Sequence, residues 1–196
     1  GLETKLPEKG VSLLETEFPS IKAGPIGQVP EENVLHYPKA SGIASHSPYT
    51  KEINYSEVYP NWRATYQMLG LYDKQGGLYI ASHDPTGSVK TISTVTDEEK
   101  VSFRFNWPAP NMGLNDNGYK LPGKVVLGSI EGDWYRAAMI YQAWVKEQAP
   151  WWPPAPNKRP SRIQDIAVWV QHESGGDLAT LVAEVLEFAE FMIVPI

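Results

Sequence analysis

The sequence predicts a mainly β chain: antiparallel strands that close on one helix, followed by an incomplete strand–helix–strand unit. Three observations carry this. "KTISTVTD" sets Ile92, Thr94 and Thr96 against Thr91, Ser93 and Val95, and "KVSFRFNW" sets Val101, Phe103 and Phe105 against polar neighbours. That alternation suits half-buried antiparallel strands, because successive side chains leave opposite faces. The period then changes at Asp133, where "DWYRAAMIYQAWVKEQ" places Trp134, Ala137, Ala138, Tyr141, Trp144 and Val145 at helical spacing. Finally, the nearly continuous apolar run in "DIAVWVQHE" reads as a strand buried on both faces.

Residues 1–60 are dense in Pro, Gly, Ser and Tyr, and "FPSIKAGPIGQVPEENVLHYP" has no helical period, so short extended pieces between turns are expected. "RATYQMLGLYD" and "GGLYIASHD" form a hairpin with a slightly long loop through Gln75, Gly76 and Gly77. Asp97, Glu98 and Glu99 make a charged turn, and "GKVVLGSIEGD" is another strand. Asp133 is the N-cap of the helix at 133–148, which stops before Pro150. "PWWPPAPNKRPSR" is a Pro- and Trp-rich linker over 150–162, with Trp151 and Trp152 as anchors sealing a domain interface. In 163–196, the strand "DIAVWVQHE" leads to a helix capped by Asp177, with Leu178, Leu181, Val182, Val185, Leu186 and Phe188 inward, and "IVPI" opens a second strand. A parallel βα unit needs further strands, so this piece is expected to be truncated or completed by another chain. Residues 1–149 form the β domain.

Composition narrows the function classes. The 196 residues carry a net charge of −6, and Lys158, Arg159 and Arg162 are the only basic cluster, which speaks against a nucleic-acid partner. With no cysteine there are no disulfides, thiolate chemistry or Cys-based zinc sites. No apolar run is long enough to span a bilayer, and "GLETKLPEKG" does not read as a signal peptide, as expected of a processed chain or an internal piece. Seven Trp and ten Tyr suit both a β-sandwich core and sugar stacking.

The order "YPNWRATYQMLGLYD", "GGLYIASHDPTGSVK", "GDWYRAAMIYQAWV", "APWW" and "IAVWVQHE" resembles bacterial glycoside-hydrolase-like proteins of a largely uncharacterised family. The likeness covers residues 10–196 and is most specific in Gly77 to Pro85 and Gly132 to Trp144. It implies an N-terminal galactose-mutarotase-like antiparallel β-sandwich followed by a (β/α)8, TIM-type barrel, of which this chain would hold only the start. It also implies glycoside hydrolysis by two carboxylates at the C-terminal ends of middle barrel strands, and so outside this chain. A secreted, periplasmic or cell-surface location, a carbohydrate partner and no cofactor follow from the same likeness. The rest of the same protein, or another chain, would complete the barrel. The alternative is a non-catalytic carbohydrate-binding or extracellular structural protein.

Substrate-contact candidates come from two places. Trp169, Gln171, His172 and Glu173 end the first barrel-type strand, where ligands of parallel βα units gather. His83 and Asp84 follow a strand and precede "PTG". There, an Asx-type turn closed by Asp84 competes with a sandwich loop that touches substrate. One His and one Asp are too few for a metal. The stripe Trp134, Tyr135, Tyr141 and Trp144 reads as core, whereas Trp62 and Trp107 read as loop residues open to stacking. "NMGLNDNG" reads as a turn with Asn117 and Gly118 at positive φ.

Overall fold

The structure, a computed structural model, describes residues 3–4, 9–97, 99–152, 182–183 and 186–187. The residues up to Trp152 make one compact unit. Its strands are β1 (Glu3–Thr4), β2 (Glu15–Ala23), β3 (Val34–Tyr37), β4 (Ile43–His46), β5 (Asn54–Tyr59), β6 (Met68–Tyr72), β7 (Gly76–His83), β8 (Lys90–Thr96), β9 (Val101–Pro108), β10 (Tyr119–Lys120) and β11 (Lys124–Glu131), followed by helix α1 (Trp134–Gln148). A five-stranded sheet runs in the order β11-β7-β6-β3-β4 and a four-stranded sheet in the order β2-β9-β8-β5, with β1 and β10 paired apart. Every pairing among these strands is antiparallel.

The two larger sheets share an apolar core in which Leu35, Tyr37, Leu71, Ile80, Phe103 and Phe105 have no exposed surface. Alternation does this. In β8 every second residue from Lys90 to Thr96 is buried, and in β9 Val101, Phe103, Phe105 and Trp107 all point inward. Trp107 is therefore a core residue of β9 and not an open loop residue: the alternation simply runs one step further, and its Nε1 donates to the Phe18 carbonyl at 2.9 Å.

Helix α1 lies on the outer face of the five-stranded sheet. Its Ala137, Tyr141, Trp144 and Val145 pack with Met68, Tyr79, Ala81 and Ile130. Asp133 accepts from the Tyr135 amide at 2.9 Å and caps the first turn. Of the aromatic stripe, Tyr141 and Trp144 are buried, but Trp134 and Tyr135 on the first turn are exposed. Where the helix covers it, this sheet is buried on both faces, while its edge strands β4 and β11 stay partly exposed. That explains why "VLHY" and "MLGLY" lack polar alternation: every residue of β3 and β6 is buried.

Two local expectations change. Gly76 and Gly77 belong to β7 and not to the hairpin loop, which is the tight turn closed by the Asp73 amide on the Gly76 carbonyl at 2.9 Å. A Cβ on Gly76 would strike the Ile130 carbonyl, and one on Gly77 the Leu71 carbonyl, so neighbouring backbones require glycine here. In "NMGLNDNG", positive φ falls on Asn111, Gly113 and Asp116 instead of Asn117 and Gly118. Asn117 instead clamps the loop to the N-terminal segment, accepting from Leu13 N at 2.7 Å and donating to Leu13 O at 2.8 Å.

Most of the linker and of the strand–helix–strand read at 163–196 lies outside the described residues. Residues 182–183 and 186–187 are helical, but Val182 and Leu186 are exposed, contrary to their expected inward placement. No described strand of their own unit covers them.

Candidate functional site

Strand β7 delivers His83 and Asp84 to the same end of the sandwich and then separates them, since adjacent residues face opposite ways. Asp84 turns inward and has no exposed surface. Its Oδ1 accepts from Thr86 N at 2.9 Å and Thr86 Oγ1 at 2.6 Å. Its Oδ2 accepts from Ser88 N at 2.8 Å, from the Ser88 hydroxyl, and from Lys90 Nζ at 3.1 Å. Lys90 is equally buried and donates to Gln67 Oε1 and Ser88 O, each at 2.6 Å. The Tyr59 and Trp107 rings lie 4.5 and 4.6 Å from its Nζ. Gln67 Nε2 completes the hub by donating to the Asp84 carbonyl at 3.1 Å.

Desolvation alone would raise the Asp84 carboxyl, but the hydroxyls of Ser88 and Thr86 and the Lys90 charge outweigh it and hold the carboxyl below its ordinary value. Burial pulls the Lys90 ammonium down to about 8 despite its carboxylate partner, which leaves it protonated at neutral pH. All of these groups are spent on one another. Chemically, the hub locks the 84–90 loop and offers nothing to a ligand.

His83 points the other way, onto the helix-covered face. Its ring stacks on Trp144 at 4.5 Å between centroids and 11° between planes, and its Nε2 lies 2.8 Å from the Tyr79 hydroxyl. Burial, then the nearby Lys124 charge, lower its pKa to about 4, so the imidazole is neutral in ordinary buffers. Beside it opens a cavity of about 340 Å³ lined by His83, Pro85, Pro122, Gly123, Lys124, Trp144 and Gln148. Trp151, partly exposed, reaches to 6.4 Å from the Trp144 ring. The two segments most specific in the sequence, Gly77 to Pro85 and Gly132 to Trp144, thus meet at the His83–Trp144 stack. Sequence reasoning missed Lys124 and Gln148, which join the site only through the pairing of Lys124 with His83 and the far end of α1.

A larger cleft of about 580 Å³ lies where β6 turns into β7, beside the start of α1. Its charges are already matched in part, with Lys74 Nζ 2.5 Å from Glu32 Oε1. Trp62 is exposed, with the Arg63 guanidinium 4.9 Å from its ring. Trp169, Gln171, His172 and Glu173 lie outside the described residues. Among the described residues no group of three or more His, Cys, Asp or Glu is placed to hold a metal, and no helix is long and apolar enough to cross a membrane.

His36 shares the outer face. It is buried, its Nε2 lies 2.7 Å from the Tyr66 hydroxyl, and desolvation lowers its pKa to about 4. In an unfolded chain both imidazoles would titrate near 6.5. The stability tied to their neutral forms is therefore fully present above that value and is lost as pH falls toward about 4. Urea unfolding between pH 7.5 and 4 is expected to show this decline, with a slope of up to about 1.4 kcal/mol per pH unit for each histidine. A flat profile would contradict it.

The fold and site define a class: an antiparallel β-sandwich with one sheet backed by a helix and an aromatic cavity at a loop end. The comparisons then point to particular relatives. Residues 119–195 match a family described as a domain of unknown function, DUF6259. The chain is 26% identical over 152 residues to a Monosiga brevicollis protein named "Putative glycoside hydrolase 22789", a match spanning 74% of this chain and 12% of that protein. It is 23% identical over 172 residues to a Bacteroides thetaiotaomicron protein named "Putative glycoside hydrolase", spanning 87% of this chain and 24% of that one. The chain thus corresponds to less than a quarter of the length of either relative. These distant relatives support a glycoside-hydrolase-like family. No solved structure gives a significant match.

Proposed function

We propose that the chain is the N-terminal portion of a secreted, periplasmic or cell-surface glycoside-hydrolase-like protein acting on an oligo- or polysaccharide. The observation that carries this is the alignment of 74% and 87% of the chain with two relatives named as glycoside hydrolases. In this reading the sandwich supports a TIM-type barrel that begins within 163–196 and supplies one wall of the sugar site. Trp169, Gln171, His172 and Glu173, at the end of the first barrel strand, hydrogen-bond and stack on sugar. The acid and the nucleophile or base are carboxylates of later strands, outside residues 1–196.

The test is glycan binding and reducing-sugar release by the natural protein that contains residues 1–196, over a panel of oligo- and polysaccharides. Turnover is expected, with Trp169→Ala and His172→Ala each weakening binding about tenfold, the order of one lost stacking or hydrogen-bond contact. Binding without turnover by any preparation would favour a non-catalytic carbohydrate-binding role. Unchanged binding and turnover in both variants would remove the strand-end residues from the site.

A further inference from the structure

The cavity beside His83 has a composition that the carbohydrate reading does not by itself require. Pro85, Pro122 and Trp144 give it apolar walls, and Gln148 brings an amide able to donate and accept. His83 contributes a neutral ring. Among the described residues the only charged lining group is the Lys124 ammonium, in a chain of net charge −6. Lys124 is exposed at the start of β11, yet its charge is felt at His83, its register partner on β7. The wall is built from backbone: a Cβ on Gly123 would strike the His83 carbonyl and lie 2.6 Å from Asp84 Cα, so the Pro122–Lys124 segment sits directly on the end of β7. The locked 84–90 loop holds the other side. At about 340 Å³ the cavity is near the small end of ligand pockets, suited to one sugar ring and not to a chain of them.

We propose that this cavity takes one uronic acid residue of a glycan, its carboxylate on Lys124, its hydroxyls on Gln148 and the His83 imidazole, and its carbon face along the apolar wall. This rests on the carbohydrate reading and narrows it to acidic glycans. An ammonium among apolar walls, with no carboxylate among the described lining residues, favours an anion over a neutral hydroxyl, since a charge-assisted hydrogen bond is about twice as strong as a neutral one.

The experiment titrates the natural protein containing residues 1–196 with short oligomers of galacturonic, glucuronic and mannuronic acid and with the corresponding neutral hexose oligomers. Binding is read by calorimetry and tryptophan fluorescence. At least one acidic oligomer is expected to bind about tenfold tighter than its neutral counterpart, the order of one charge-assisted hydrogen bond. Lys124→Gln is expected to erase that preference, and Lys124→Arg to keep it. An unchanged melting temperature for Lys124→Gln would show that the loss is local. Equal binding of acidic and neutral oligomers, or a preference that survives Lys124→Gln, overturns the uronic acid assignment but leaves the carbohydrate reading standing. So does turnover of neutral glycans with no acidic oligomer bound. Failure of every glycan to bind or turn over overturns both.

Discussion

Replacing Asp84 by alanine is expected to destabilise the sandwich by about 3–5 kcal/mol, the usual cost of leaving one partner of a buried ion pair alone. The variant takes the Asp84 carboxylate from the Lys90 ammonium, which has no exposed surface and keeps the neutral acceptors Gln67 Oε1 and Ser88 O. It also orphans the amides and hydroxyls of Thr86 and Ser88 that the carboxylate now satisfies. Lys90→Met should cost less than Asp84→Ala, because an unbranched apolar chain can fill the slot between Tyr59 and Trp107. Asp84 would then keep its four remaining donors. The double variant should fall well short of the sum, because the second change removes the charge that the first left without its carboxylate. Urea unfolding of the four proteins at neutral pH measures all of this. A loss below about 1 kcal/mol in Asp84→Ala would mean that the hub is not what closes the loop.

How far this was legible in the sequence differs from element to element. Strands β8 and β9 were readable because each has one face in the core, so their period of two is written in residue type. Helix α1 was readable because a capping Asp133 stands at the change of period. Strand β6 was readable as one arm of the "RATYQMLGLYD"–"GGLYIASHD" hairpin, whereas β3 was legible only as one of several short extended pieces: with all four of its residues buried, it carries no alternation to read. Trp107 was misplaced because its neighbours Asn106 and Pro108 look like a loop, whereas register with Thr16 keeps it in the strand. At the site, "SHDPTG" announced a turn through Asp84 but gave no sign of Lys90, a charged residue at an inward strand position that becomes sensible only when Asp84 and Gln67 arrive from elsewhere. The His83 cavity was less legible still. Its walls come from β7, from the Pro122–Lys124 turn and from the end of α1, and only the folded chain joins the three.

That convergence makes Trp144 the residue whose loss should be felt in two ways at once. Trp144→Ala is expected to cost about 3–5 kcal/mol, the range for truncating a buried large aromatic. The indole packs α1 onto the outer sheet with Tyr141, Val145 and Ala137, so its loss leaves a gap in that layer. It also covers one face of the His83 ring. With that face opened to water, the desolvation that holds His83 near 4 is relieved, and its titration should move up toward 6.5. Proton NMR of the His83 ring against pH reads this directly, with His36 as the internal control, since its stacking partners are Tyr66 and Trp134. Trp144→Phe should recover part of the stability and hold His83 below its ordinary value, because a smaller ring still shields the imidazole. If Trp144→Ala loses stability while His83 stays near 4, the low value comes from Tyr79 and the sheet, and the stack is packing alone. If both change, the His83–Trp144 stack couples the helix to the mouth of the cavity, so a ligand that orders the cavity would also tighten α1 against the sheet.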